Sequence, residues 1–528
     1  MRLPESADAR EANAMPRLPG LWVVVAAGLA VSGCNVGSGP ITMGQAGGTD
    51  NNNPFPDDTV SGTVMLNGAP LSGVTVTAFL TNTNAVVAAV TTDAQGHYAL
   101  PAMKTSGDVT ARYQIWAEKA GYGFAPAASN GAAAKRADFT GQFQGNGVTD
   151  IAIYFTVIEF NSVVGGSRTD ADFVAYDGSH PLVEVPATGQ QTSYTPGDDG
   201  DQQKGVAWGA ARFADNGDGT VTDKLTGLVW LKQADCLMTG NWFNALVEVN
   251  GLASGLCGLT DRSTAGQWRM PNLNELESLI DGSASHPALP ANSPFSGMTD
   301  QIEWTSTSYF HGQAASPAAW AIRMSDGRYI NDGTANDKTS AQNAVWAVRG
   351  TAAGAAAPAA TGLYPVYATG DDGSLQTGAH LTYPRFIDKG DGTVTDTMTG
   401  LVWLKQANCI RDTWANAAAT VTTLASGACG LSDGSKAGDW RMPNRKELAS
   451  LSDRMETNHA DFFNARYVWK SNGQVYREPI FSNFVVSEYY WTSSTVAAAP
   501  SSVWTLYSCD FGVYDTDKGS MGYTLAVR

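Results

Sequence analysis

Residues 215–236 read DNGDGTVTDKLTGLVWLKQADC, and residues 388–409 read DKGDGTVTDTMTGLVWLKQANC. Within each, Gly-Asp-Gly supplies the turn, Thr-Val-Thr alternates as a strand, and Thr-Gly turns the chain into the apolar strand Leu-Val-Trp-Leu. Working outward, Thr188–Cys236 aligns without a gap on Thr361–Cys409 at a constant offset of 173, with about 29 of 49 positions identical. Further on, Gln267-Trp268-Arg269-Met270-Pro271-Asn272 with Glu275-Leu276 matches Asp439-Trp440-Arg441-Met442-Pro443-Asn444 with Glu447-Leu448. Trp304-Thr305-Ser306 matches Trp491-Thr492-Ser493, and Val345–Arg349 matches Thr524–Arg528. A repeat this long is a duplicated domain rather than a solenoid unit. The copies span 188–350 and 361–528, and the Ala-rich stretch 351–360 (TAAGAAAPAA) is read as the joint. Pro271 and Pro443 are expected to open a helix, with Glu275 and Glu447 near its positive end.

The 528-residue chain as a whole is acidic, with 33 Lys+Arg against 50 Asp+Glu and a net charge of −17. Only 16% of residues are charged, so bases are scarce, and a chain without basic clusters is a poor nucleic-acid binder. Residues 21–31 (LWVVVAAGLAV) are too short a run to span a bilayer comfortably but suit a signal peptide covering 1–33. The run ends in Ser32-Gly33-Cys34, which resembles the bacterial lipobox. That resemblance implies a diacylated Cys34 as mature N-terminus, and Asn35 after it implies the outer membrane, with the domains facing the periplasm or the surface. Residues 34–58, rich in Gly, Asn and Pro, read as a flexible tether.

Residues 59–157 alternate β-branched and small residues between turn signals such as Asn67-Gly68, which reads as an all-β unit of about seven strands. Its "T-D-x-x-G-x-Y-x-L-P" (92–101) and the later Lys-Ala-Gly-Tyr (119–122) resemble the carboxypeptidase regulatory-like, or transthyretin-like, β-sandwich. Residues 158–187 are expected to be a linker. The ordered motifs of the two copies closely resemble the C-terminal domain of the Legionella collagen-like adhesin, a domain common in duplicate on bacterial lipoproteins. That resemblance implies a C-type-lectin-like α+β fold, and "W-R-M-P-N-x-x-E-L" is similar to a segment of formylglycine-generating enzymes, which share it. The expected fold class is therefore multidomain: an N-terminal all-β Ig-like sandwich followed by two α+β C-type-lectin-like domains.

The cysteines come next. Cys236 and Cys257 recur as Cys409 and Cys429, at separations of 21 and 20, which in an oxidising compartment argues for one disulfide per copy. Cys509 is left over, and no His lies within 49 residues of it, so it reads as a buried structural thiol, with an intermolecular disulfide as the alternative. Formylglycine generation needs a pair of active-site cysteines, which this chain lacks near its C-terminus. Asp215, Asp218, Asp223, Asp388, Asp391 and Asp396 bring carboxylates close together and are weak Ca²⁺ candidates, although their spacing is not that of an EF-hand and a hairpin turn accounts for them better. The acidic turns Gly197–Gly200 and Gly370–Gly373 are read in the same way. No cofactor is expected.

The repeated Trp residues lie in apolar strands and read as core. Binding residues are expected where the copies differ, in 283–300 of the first and 454–488 of the second, where Phe462, Tyr467 and Trp469 are candidates. The six His residues form no paired motif. The leading expectation is a non-catalytic, lipid-anchored envelope protein presenting two lectin-like domains to glycan or protein ligands. The alternatives are an enzyme on the formylglycine-generating scaffold and a purely structural envelope protein.

Overall fold

The computed structural model describes residues 58–80, 86–103, 110–126, 135–138, 152–161, 173–177, 183–209, 211–237, 239–309, 317–331, 333–379, 385–455, 459–469 and 475–528. Cys34, the signal peptide and the tether up to residue 57 lie outside them. Residues from Phe55 onward form one compact unit, mostly β with few helices.

Its N-terminal part is two sheets that share a core. One is built around β1 (Asp58–Leu66), the other around β3 (Thr75–Leu80), β6 (Thr110–Glu118) and β9 (Ala152–Asn161). Val60, Val76, Leu100, Ile115 and Phe173 bury their side chains between the sheets. The part extends beyond residue 157, because β10 (Phe173–Tyr176) pairs in parallel with β1, Val64 opposite Phe173. The stretch expected as a linker thus contributes a strand, and the apolar Phe173 and Ala175 on one face explain why it is drawn in.

Each copy then repeats one plan. In the first, β11 (Phe213–Asp215), β12 (Thr220–Asp223) and β13 (Val229–Leu231) form the meander that the opening motif encodes, and β17 (Val348–Arg349) closes it. The second answers with β18 (Phe386–Asp388), β19 (Thr393–Asp396) and β20 (Val402–Leu404). Helix α2 (Trp242–Asn250) buries Trp242, Ala245, Leu246 and Val249, one helical stripe, and α5 (Trp414–Thr423) is its counterpart. Helices α3 (Leu273–Ser278) and α6 (Arg445–Ser450) begin at Asn272 and Asn444, one residue after the prolines, and Glu275 and Glu447 complete capping boxes on those caps. Longer strands follow: β14 (Ile302–Ser308) in copy one, β24 (Tyr489–Thr495) and β25 (Ser502–Tyr507) in copy two.

Trp230, Trp268, Trp304, Trp346, Trp403, Trp440 and Trp491 are all fully buried, so the repeated tryptophans are core. Trp230 and Trp346 lie 5.1 Å apart, their indoles tilted. One hydrophobic cluster runs through both copies, from Leu228 to Val527.

The copies are joined by exchange. The Gly-Asp-Asp-Gly motifs are not hairpins; they open the short helices α1 (Asp199–Gln202) and α4 (Asp372–Leu375), capped by Asp198 and Asp371. The second aspartate of each motif then reaches into the other copy. Asp372 accepts from the Thr307 hydroxyl of β14 at 2.7 Å, and Asp199 accepts from the Ser494 hydroxyl of β24. The arms carrying them exchange aromatic rings as well. Lys338 sits over Trp242 of its own copy and Tyr367 of the other, while Lys518 sits over Trp414 and the opposite Tyr194. A methyl at Gly200 or Gly373 would fall 2.0 Å from the carbonyl of Thr192 or Pro365, so only glycine lets each arm fold back this tightly.

Candidate functional site

Each copy carries one disulfide. Cys236 is bonded to Cys257 and Cys409 to Cys429, each tying the end of the meander to the segment after its helix.

The acidic residues of the opening motif turn inward or onto their own turns. Asp223 receives Nε and Nη2 of Arg212 at 2.9 and 2.7 Å, a bidentate pair at the base of the meander. Asp396 receives Arg385 in the same geometry. Asp215 and Asp388 bind Lys232 and Lys405, while Asp218 and Asp391 each accept from the backbone and hydroxyl of the threonine two residues on. These bonds are those of a closed hairpin, with Gly217 and Gly219 at φ of 75° and 87°. The arginines occupy the carboxylates of Asp223 and Asp396, and among the described residues no three His, Cys, Asp or Glu side chains are placed to share a metal.

Cys509 is half-buried, its sulfur 3.5 Å from the Ser487 hydroxyl. The fold brings His459 to it, but to its backbone: His459 Nδ1 lies 3.2 Å from the Cys509 carbonyl, and Nε2 accepts from the Asp453 N–H. Burial, with Arg454 nearby, lowers the imidazole to about 4, and the ring stacks on Phe511. A neutral ring with both nitrogens engaged on backbone groups is not oriented as a base for the thiol.

Of the binding candidates in copy two, Phe462 leans half-buried on the core beside Phe463, 5.3 Å away. Tyr467 and Trp469 lie on β22 (Arg466–Trp469), paired with β23 (Val475–Glu478); their side chains lie outside the described residues.

A polar cleft does open in copy one. Residues 283 and 290–293, at the start of the stretch that differs between the copies, form one wall, and the arm from Ala187 to Gln191 forms another. Gln191, Ser283 and Asn292 stand exposed at its rim, with Trp208 half-buried and Asp281 deeper. The cleft is held firmly from behind. Gln190, 2% exposed, pairs both ends of its amide with the backbone of Thr495, donating to its carbonyl at 2.7 Å and accepting from its N–H at 3.0 Å. Asp281 accepts from the backbone and hydroxyl of Ser283, which fixes the start of the variable wall. The Trp208 indole donates to the Ala187 carbonyl at 2.8 Å, and Arg212 lies 4.3 Å from its ring. Such a site offers amides, hydroxyls and one carboxylate around a rigid mouth, chemistry suited to a polyhydroxylated ligand.

Gln190 and Trp208 escape a reading of the repeat because each is one difference among many: their partners by alignment are Leu363 and Leu381. The signal was a glutamine and a tryptophan standing opposite leucines, in short runs where the two copies differ.

Residues 219–349 and 392–528, together half of the chain, match the model of the Lcl C-terminal domain. Residues 60–119 match DUF6795, a domain of unknown function. No curated protein matches the chain.

Proposed function

Because the chain belongs to the Lcl C-terminal domain family, we propose that it is an adhesin-like surface protein that binds an uncharged glycan in the polar cleft of its first repeat. The observation that carries this reading is the cleft itself: a wall from the segment that differs between the copies, set on a scaffold they share. Gln191, Ser283 and Asn292 supply donors and acceptors to sugar hydroxyls, and the amide clamp of Gln190 keeps the wall from collapsing. A net charge of −17 favours neutral glycans over sulfated or carboxylated polymers, which the protein repels on approach. The lectin-like presentation is non-catalytic, and the N-terminal β part serves as a spacer.

The chain is held to the outer membrane through a lipid on Cys34; no helix among the described residues is long and apolar enough to cross a membrane. A glycan array probed with residues 55–528 tests the binding reading. Neutral glycans should score, and Gln191→Ala with Asn292→Ala should abolish the signal without changing the melting temperature. An array with no hit, or hits unaffected by the pair, overturns it.

A further inference from the structure

A second, smaller cleft lies between α3 of the first copy and α6 of the second, lined in part by the two chain segments that lead into the exchanged arms. Its lining is largely apolar, with Val183, Val185, Met398 and the alanines of 356–360. The expected joint between the copies is thus a wall of this cleft, held by the Ala356 N–H on the Leu225 carbonyl, as Val183 is held on that of Met398.

Lys446 opens into this space. It is 4% exposed, yet among the described residues its ammonium enters no ion pair. Its one hydrogen bond is a long one, 3.3 Å to the Ser278 carbonyl, and it lies 4.9 Å from the Trp208 ring. The fold does not require a cation here, because the equivalent position in the first copy is Asn274, whose amide donates to the Ala359 carbonyl at 3.0 Å. The arginines around it are already matched, Arg212 to Asp223, Arg385 to Asp396 and Arg445 to Glu277. A buried ammonium without a carboxylate bonded to it is costly, and an anion that supplies the missing acceptor relieves that cost.

We propose that this cleft binds a small organic acid, its carboxylate on Lys446 and its hydrocarbon body against Val183, Val185 and Met398. Glu277 and Arg385 line the cleft as well, but each already has an ion-pair partner in Arg445 and Asp396, which leaves Lys446 as the anchor for a ligand. The binding is linked to protons. Burial, reinforced by Arg212 and Arg445 and opposed by Glu277 and Asp281, lowers the amine to about 7, so a carboxylate that binds the ammonium must draw a proton in above that pH.

Calorimetric titration of the full chain with hexanoate, in buffers of different ionisation heat, tests this. Hexanoate should bind at pH 6.5, bind roughly 25-fold more weakly at pH 8.5, and take up close to one proton there. Hexanol should not compete at equal concentration. Lys446→Asn, which installs the residue of the first copy, should abolish hexanoate binding while the melting temperature holds. Absence of hexanoate binding, binding without proton uptake at pH 8.5, or full binding by a folded Lys446→Asn protein overturns the proposal. Because proton uptake is read on the unmodified chain, a variant that fails to fold still leaves it decided, and the glycan-rim variants leave it untouched.

Discussion

Thr307 donates its hydroxyl to the Asp372 carboxylate at 2.7 Å across the boundary between the repeats, and Thr361 of Asp372's own arm donates to the same oxygen at 2.6 Å. Asp199 stands between Ser494 and Thr188 in the mirrored arrangement. Both carboxylates are buried, and burial raises Asp199 to about 6 and Asp372 to about 7, neighbouring Glu447 and Glu275 adding to the rise.

A raised acid pKa means that the folded protein holds these protons more tightly than the unfolded chain does. Stability is therefore gained under mild acid and lost as pH rises from about 4 through about 7. Asp199→Asn with Asp372→Asn should flatten this slope while keeping the hydroxyl partners, whereas Asp372→Ala should cost about 1–3 kcal/mol by stranding Thr307 and Thr361. Urea denaturation at pH 5 and pH 8 reads both; an unchanged slope in the asparagine variant would count against the assignment.

His459 works in the opposite sense. With its folded pKa lowered to about 4 by burial, it holds its proton less tightly than the unfolded chain, and stability falls as pH drops below about 6.5. The ring should remain neutral by NMR down to about pH 4, and Cys509→Ser should leave its titration unmoved, since it is the Cys509 backbone that it meets.

Breaking a buried pair leaves a charge without its partner. Arg385→Met or Asp223→Asn should destabilise the chain by about 3–5 kcal/mol in chemical denaturation. Calcium added at millimolar concentration should leave the melting temperature within a degree, because Asp223 and Asp396 are held by arginine. A calcium-dependent rise would reassign the turns.

Reducing the two bridges should lower stability by roughly 3 kcal/mol each on a chain-entropy view, loops of 21 and 20 residues being closed. Peptide mapping should find Cys236 with Cys257 and Cys409 with Cys429; a bond between Cys236 and Cys409 would contradict the fold.

Metabolic labelling with palmitate should mark the protein in a bacterial host, and Cys34→Ser should release it into the soluble fraction. A variant that stays with the membrane would remove the anchor from the reading.

Much of each repeat is written locally. The meander follows from Gly-Asp-Gly and alternating Thr-Val-Thr, and α3 from the proline before Asn272 with glutamate three residues beyond. The burial of Trp230 and Trp403 follows from the apolar strands around them. What stayed hidden depends on distance. Gln190 and Thr495 are 305 residues apart, and no periodicity within a copy reveals that its arm belongs to the other one. The Gly-Asp-Asp-Gly motif misled for the same reason: as an isolated tetrapeptide it favours a turn, and only the hydroxyl waiting on a distant strand makes it a helix start with an outreaching carboxylate. The cleft was half legible, since the stretch from Ser283 marked one wall, but Trp208 and Gln190 lay in the block that seemed merely repeated.

The crossed arms also decide how the molecule bears tension. A pull on the chain ahead of Val183 does not reach the first repeat alone, because Val183 hangs from Met398 and the arm after it is clasped by Thr495 and Lys518 of the second. Traction arriving from the N-terminal side is thus shared between both lobes at once. To detach one lobe, the contacts of both arms must be given up, so the two lobes respond to load as one body.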